Sequence, residues 1–165
     1  MKYKESESKK KLSFLKQFMA KLGLNVADVA TKLNLSSAQP LYYAFKRDDM
    51  MLSMLLDIFS AYGYDISFGF IRDNEYLQVD MDLGPDQKYS AEDRNRRLFF
   101  LREMLDNGIN IAEMSSTLHM AKSTIYYWFN HDDCHLSQVV AIAEVVGIPL
   151  KIKIRPKRMV VRNIK

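Results

Sequence analysis

The sequence lacks the features that would place it in a membrane, in an oxidising compartment or among enzymes. Its one cysteine, Cys134, cannot form an internal disulfide, which fits a reducing compartment. No apolar run approaches the roughly 18 residues that a spanning helix needs, and the amino terminus has no apolar stretch of the secretory type. No glycine-rich phosphate loop, nucleophile elbow or paired-carboxylate motif is present. We therefore expect a cytoplasmic protein that is not an enzyme and uses no cofactor.

The composition is that of a globular protein with unevenly distributed charge. The 165 residues are 48% hydrophobic and 27% charged, which predicts one compact domain or two small ones. The net charge is +4, yet residues 1–11 carry five Lys against two Glu, and the last fifteen residues carry seven Lys or Arg and no acid. Such basic ends suit a polyanionic partner, either nucleic acid or an anionic membrane surface, and they suit a solubilising role equally well.

An internal repeat is the most informative feature of the chain. Seventeen positions between Leu12 and Gly63 recur in the same order between Leu98 and Gly147. The offset is 86 residues at the leucines, 85 from Asn25 and 84 from Leu41, so two single-residue length differences separate the copies. Both differences fall where turns are expected. We interpret the chain as two copies of a unit of about 60 residues.

Each copy begins with two predicted helices. Apolar residues at helical spacing predict the first helix, which a glycine ends. An asparagine then caps a short second helix, with an acid three residues later at the capping-box position. The boundary residues in the two copies are Leu12 and Leu98, Gly23 and Gly108, Asn25 and Asn110, and Leu33 and Leu118.

The start of the third helix differs between the copies. It is predicted near Ala121 in the second copy and near Ser36 or Ser37 in the first, where one extra residue precedes Pro40. If Ser37 is the cap, Pro40 falls in the first turn, where a missing amide costs little. If Ser36 is the cap, Pro40 lies one place deeper and distorts the helix.

A fourth helix and β-structure close each copy. Ser53 and Ser137 are the expected caps of the fourth helix, which ends at a glycine in both copies. The period then changes from helical to alternating, and a turn at Asp73 allows a second strand to return as a hairpin. The predicted strands are Asp65–Ile71, Tyr76–Asp82 and Pro149–Arg155.

A short helix, a tight turn and a third helix that starts with small or polar residues form the helix-turn-helix arrangement. The second copy, NIAEMSSTLHMAKSTIYYWFNHDDCHLSQVVAIAEVVGI, resembles the Cro and lambda-repressor-like family, also called the Xre family. The first copy, NVADVATKLNLSSAQPLYYAF, is similar to the same family with one extra residue before Pro40. Both copies depart from the family in the turn, where Asn34 and His119 replace the usual glycine.

The resemblance implies a mainly α fold with a small β-sheet, built from two tandem lambda-repressor-like helix-turn-helix units. The expected segments are a basic arm (1–11), a first unit with a β-hairpin (12–83), a linker (84–95), a second unit with a strand (96–156) and a basic tail (157–165). The implied function is that of a sequence-specific regulator of transcription that binds double-stranded DNA, without a membrane partner.

Two further expectations concern assembly and partners. The units are expected to act as a pseudo-dimer within one chain, joined by their strands, or else the strands join two chains in a homodimer. Because the fold signal is degenerate as to function, the alternative is a protein-interaction module of antitoxin or anti-repressor type.

The exposed face of each third helix is expected to read DNA. Leu41, Ala44, Ile125 and Trp128 lie at core spacing, which leaves a face with no acidic residue to meet bases and phosphates. The two asparagine caps either offer backbone amides to a phosphate or serve only as caps. The candidate DNA-binding residues are Lys122, Ser123, Thr124, Tyr126, Tyr127, Asn130 and Asn110 in the second copy, and Ala38, Gln39, Tyr42, Tyr43, Lys46, Arg47 and Asn25 in the first.

One cluster has the residue types of a metal site. His131 and His135 lie four residues apart with Cys134 between them. The same place in the first copy, 47–51, reads RDDMM, and no second group of ligands accompanies the cluster. We therefore expect no metal.

Overall fold

The computed structural model describes residues 10–72, 75–76, 96–106 and 110–157. They form two runs of four helices, each followed by β-structure, so the protein is mainly helical with a small antiparallel sheet. The first run comprises α1 (Ser13–Leu22), α2 (Val26–Lys32), α3 (Gln39–Arg47) and α4 (Leu52–Ala61), followed by strands β1 (Tyr64–Arg72) and β2 (Glu75–Tyr76). The second comprises α5 (Phe99–Asp106), α6 (Ile111–Leu118), α7 (Lys122–His131) and α8 (Leu136–Val146), followed by β3 (Leu150–Pro156).

The predicted signals at the first and second helices are confirmed. Gly23 ends α1 in the left-handed conformation, with φ of 67°. Asn25 caps α2 through a full capping box, in which its side chain accepts from the Asp28 amide at 2.8 Å and the Asp28 carboxylate accepts from the Asn25 amide at 2.9 Å. Asn110 caps α6 by accepting from the Glu113 amide at 2.7 Å.

The cap of the third helix in the first copy lies one or two residues after the predicted positions. Helix α3 begins at Gln39 after Ala38, and Pro40 is the second helical residue. The Ser37 hydroxyl nevertheless accepts from the Gln39 amide at 3.4 Å, as expected of a capping side chain, whereas Ser36 is not the cap. The first four amides of a helix have no partner within it, so the proline removes no helical hydrogen bond there.

The serine caps predicted for the fourth helices are also wrong. Helices α4 and α8 begin at Leu52 and Leu136, so Ser53 and Ser137 already lie inside them. Their backbone amides bind carboxylates from the opposite run of helices instead. A cap supplied by a residue 80 or more positions away has no local sequence signal.

The two predicted long strands are confirmed, each with slightly shifted bounds. Strand β1 pairs antiparallel with β3 over seven residues, from Tyr64 opposite Pro156 to Phe70 opposite Leu150. Strand β2 pairs with the last two residues of β1, Ile71 and Arg72, and the strand order in the sheet is β2-β1-β3. The sheet therefore joins the two halves of the chain.

Several predicted segments fall outside the described residues. Of the return strand predicted over 76–82, only Tyr76 is described. Most of the basic arm, the whole linker, Gly108 and nearly all of the basic tail also lie outside.

One hydrophobic core spans both halves. Aromatic rings pack within the first half, with Phe18 and Phe59 centroids 4.4 Å apart, and across the halves, with Phe68 and Phe100 centroids 5.8 Å apart. No polar or charged residue is buried in the part of the chain that the structure describes. None of the helices described there has the length and apolarity to cross a bilayer.

Candidate nucleic-acid interface

A tight turn joins α6 to α7. His119 lies in the left-handed region with φ of 54°, and the Met120 amide donates to the Ser115 carbonyl at 3.0 Å. This bond spans six residues and closes the end of α6 as a Schellman motif does. Only His119, Met120 and Ala121 separate the two helices, so α6 holds the start of α7 at a fixed angle.

The equivalent turn between α2 and α3 uses the same backbone geometry. Asn34 has φ of 57°, and the Leu35 amide donates to the Ala30 carbonyl at 2.9 Å. The connection is longer, because α3 begins only at Gln39. The left-handed conformation that glycine adopts most readily is therefore present at both positions without a glycine.

Helices α3 and α7 bury one face each. Leu41 and Ala44 of α3, and Ile125 and Trp128 of α7, are buried as their spacing predicts. The opposite faces carry four of the most exposed large hydrophobic side chains among the described residues. Their exposed fractions are 56% for Tyr42, 55% for Tyr43, 52% for Tyr126 and 58% for Tyr127.

Most of the predicted DNA-binding residues lie on these two exposed faces. In the second half, Lys122, Ser123 and Asn130 are exposed beside the tyrosines, and Thr124 is half-buried. In the first half, the exposed residues besides the tyrosines are Gln39, Lys46 and Arg47.

Three of the fourteen candidates stand apart from these faces. Ala38 is the residue before α3 and packs against the core, so its side chain is not part of the exposed face. Lys122, the residue equivalent to Ala38, is by contrast the first residue of α7 and is exposed. Asn25 and Asn110 cap α2 and α6 with their side chains, and the Asn25 amide already donates to Asp28, which removes it as a free phosphate donor.

The residue that ends each third helix fixes it to the preceding structure, a role that the sequence analysis missed. Asp48 and Asp132 adopt left-handed conformations with φ of 55° and 54°. The Asp48 carboxylate accepts from the Lys11 and Leu12 amides at 2.8 and 3.0 Å. Asp132 accepts likewise from the backbone amides of residues 97 and 98 at 2.8 and 2.9 Å. Each carboxylate thus joins the end of a third helix to the start of a first helix.

The second aspartate of each pair crosses to the other half. Asp49 accepts from the amide and the hydroxyl of Ser137 at 2.9 and 2.6 Å, and Asp133 accepts from the Ser53 amide at 3.0 Å. Both aspartates therefore cap the first turn of the opposite fourth helix, where the helix dipole favours a negative charge. The only sequence signal for this role is the Asp-Asp pair at the same place in both copies.

Backbone contacts accompany these caps. The Leu52 amide donates to the Cys134 carbonyl, and the Leu136 amide donates to the Met50 carbonyl, both at 2.9 Å. An antiparallel bridge pairs residues 51 and 135 between these two bonds. The chain segments that follow α3 and α7 are thus hydrogen-bonded to each other.

The cluster around Cys134 is a packed junction. The thiol is buried, and burial raises its pKa well above the ordinary range, helped by the charges of Asp133, Asp49 and Asp132. Within the described ranges, no group of three or more His, Cys, Asp or Glu side chains could hold a metal ion. His131 instead stacks on Tyr127, with ring centroids 3.8 Å apart, and orders part of the exposed face of α7.

A comparison with known families bears on the second half. The family model for the bacteriophage CI repressor helix-turn-helix domain matches residues 104–152, from within α5 to within β3. No curated protein and no solved structure matches the chain. The second half is therefore similar to a lambda-repressor-like helix-turn-helix domain, and α6, the tight turn and α7 all lie within the matched residues.

Proposed function

We propose that this protein is a sequence-specific regulator of transcription that binds double-stranded DNA through two helix-turn-helix units acting as an intramolecular pseudo-dimer. The observation that carries the proposal is the exposed face of α7. It lies inside the matched repressor domain and offers Lys122, Ser123, Tyr127 and Asn130 without an acidic residue. Such side chains donate to phosphates and to base edges in the major groove.

The geometry of the first half supports a second recognition helix. Helix α3 follows a left-handed turn like that before α7, and it exposes two tyrosines at the positions equivalent to Tyr126 and Tyr127. Its exposed face adds Gln39, Lys46 and Arg47, and it too has no acidic residue. The Asp48 carboxylate fixes its end as Asp132 fixes the end of α7.

The contacts between the halves support a pseudo-dimer. With the offset of 84, the residue equivalent to Met51 is His135, and the residue equivalent to Phe68 is Ile152. Each residue pairs with its own equivalent, in the isolated bridge and in the β1-β3 ladder respectively. A residue meets its own equivalent only near a two-fold axis, as in an isologous dimer interface.

The chain path is compatible with two half-sites on one face of DNA. From Tyr43 to Met51, and from Tyr127 to His135, each path includes the end of a helix and four further residues. The bridge between residues 51 and 135 joins the two paths. If the two paths were fully extended in opposite directions, Tyr43 and Tyr127 would lie at most about 46 Å apart. One turn of DNA, about 34 Å, lies within that reach.

Selection of bound duplexes from a random pool tests the function. We expect one bipartite site, with Lys122→Ala or Asn130→Ala changing base preference by roughly 1–3 kcal/mol at particular positions of one half-site. Raising salt from 50 to 200 mM should weaken binding at least about tenfold if several phosphates are neutralised. Selection of no duplex would contradict the proposal, and salt-independent binding would contradict its electrostatic basis.

Sedimentation of the protein with its selected duplex tests the pseudo-dimer separately. One chain per full site is expected, because each chain supplies both recognition helices. Two chains per site would instead favour a homodimer through the β-strands.

The exposed tyrosines favour a second candidate, a module that binds a protein. Tyrosine is enriched at protein interfaces, and the four tyrosines form two solvent-facing pairs. An antitoxin or anti-repressor role predicts saturable binding of a protein partner that Tyr43→Ala or Tyr127→Ala abolishes, together with the absence of any selected duplex. A selected duplex motif decides for the DNA-binding function.

A further inference from the structure

The exposed faces of α3 and α7 share one central residue and differ on both sides of it. In α3, Gln39, Tyr43 and Lys46 lie at spacings of four and three residues, so they form a row opposite buried Leu41 and Ala44. The equivalent row in α7 is Ser123, Tyr127 and Asn130. The central tyrosine is the same in both rows.

The flanking residues have different recognition chemistry. The Gln39 amide can pair bidentately with adenine, whereas the Ser123 hydroxyl donates one bond, can also accept, and cannot form that planar pair. At the other end, Lys46 donates to guanine or to phosphate, whereas the Asn130 amide suits adenine. Two helices that carry these rows should prefer different bases on either side of a common position.

The central tyrosines suit a contact with thymine. A tyrosine ring is an apolar surface, and the 5-methyl group of thymine is the apolar feature of the major groove. Tyr43 and Tyr127 are more than half exposed, so a base edge can contact their rings without a rearrangement of either helix. His131, stacked against Tyr127, limits the positions that this ring can take.

Tyr42 and Tyr126 suit a different contact. Each precedes the central tyrosine by one residue, which places it about 100° around the helix at the edge of the exposed face. A side chain at this edge faces the phosphates that border the groove, and its hydroxyl can donate to them. Its contribution to binding should not depend on base sequence.

We propose that Tyr43 and Tyr127 read the same thymine-bearing base pair in two half-sites whose neighbouring bases differ, so that the site is an inverted repeat with a common centre and unlike flanks. This inference rests on the proposed DNA-binding function. It assigns Gln39, Lys46, Ser123 and Asn130, in addition to Lys122, as residues that distinguish one half-site from the other.

A symmetrising variant tests the assignment. Gln39→Ser with Lys46→Asn gives α3 the row of α7. Selection with this variant should yield half-sites that agree at the positions that the rows read and that still differ where Lys122, whose counterpart is Ala38, contacts a base. Tyr42→Phe is the matched control, because it removes one hydroxyl at the edge of the face. It should weaken binding and leave the selected motif unchanged.

Replacing thymine by deoxyuridine tests the tyrosine contact. At the common position of either half-site, loss of one methyl group should weaken wild-type binding about threefold to fivefold. Tyr43→Ala should abolish this effect in its own half-site and leave it intact in the half-site of Tyr127.

The outcomes separate the inference from the function on which it rests. A wild-type motif with no common base pair, an unchanged motif for the symmetrising variant, or equal binding of thymine and deoxyuridine would overturn the inference while DNA binding stands. Failure of the wild type to select any duplex would overturn both.

Discussion

The reciprocal aspartate caps predict an asymmetric loss of stability. Asp49 accepts from the amide and the hydroxyl of Ser137, whereas Asp133 accepts from the Ser53 amide without a second bond from the serine hydroxyl in the described structure. Asp49→Ala therefore removes one more hydrogen bond between the two halves than Asp133→Ala does. Both substitutions leave the start of a fourth helix without its carboxylate.

The magnitude follows from the two kinds of bond. Loss of an N-cap costs about 1 kcal/mol, within a range of about 0.5–2. A hydrogen bond to a charged group contributes about 1.5–3 kcal/mol, and the Asp49 side chain is only 21% exposed, so solvent weakens it little. We expect Asp133→Ala to lower the free energy of unfolding by about 1 kcal/mol, and Asp49→Ala by about 2.5–4 kcal/mol, because it also removes the bond from the serine hydroxyl.

Urea denaturation followed by far-ultraviolet circular dichroism measures both values. Asp57→Ala is the matched control, because it removes the same charge from an exposed position within α4 and should change stability by less than about 0.5 kcal/mol. A double-mutant cycle of Asp49→Ala with Ser137→Ala isolates the hydroxyl bond, and we expect a coupling of about 1.5–3 kcal/mol. Equal losses for the two aspartates, or a coupling near zero, would refute the reasoning.

Two further predictions concern the turn and the buried thiol. His119→Gly should raise the free energy of unfolding by about 0.5–1 kcal/mol. Asn34→Gly should raise it by less, because asparagine tolerates the left-handed conformation better than histidine does. Thermal melts measure both changes, and an unchanged melting temperature for His119→Gly would contradict the prediction. Burial raises the Cys134 pKa, so the thiol should resist iodoacetamide at pH 8 until the protein unfolds. Rapid labelling of the folded protein would refute this assignment. The raised pKa also makes the free energy of unfolding depend on pH: the contribution of the neutral thiol is fully present below about pH 8.5 and is lost as the pH rises further. Cys134→Ala should therefore flatten the fall in unfolding free energy between pH 8 and 10.

Local signals correctly predicted the helices and the asparagine caps of the second helix in each half. Asn25 and Asn110 bind amides three residues away, so both partners of the bond lie within one short stretch of sequence. The strands followed from alternation in the same way. Ser53 and Ser137 misled because serine is a good cap by composition, while the carboxylates that bind these amides lie 80 and 88 residues away in the sequence.

The candidate site was predictable to the extent that helical spacing decides exposure. The period of Leu41, Ala44, Ile125 and Trp128 placed the tyrosines on the opposite face, and the structure agrees. Ala38 precedes α3 and is partly buried against the core, and no periodic signal fixes a helix start to a single residue. The different roles of neighbouring aspartates could not be read from two identical letters.

The proposed pseudo-dimer explains why the two halves match at their junction and differ on their exposed faces. At the junction, Asp49 and Asp133 have the same role, because each carboxylate accepts a hydrogen bond from the backbone amide of the opposite serine. On the exposed faces, a homodimer would have to carry the same residue twice. One chain with two units has no such constraint, so Gln39 and Ser123 can differ while their helices stay tied to the same frame. A single chain with two units can therefore carry different reading residues for the two halves of an asymmetric site, whereas a symmetric dimer of a single unit carries the same residues twice.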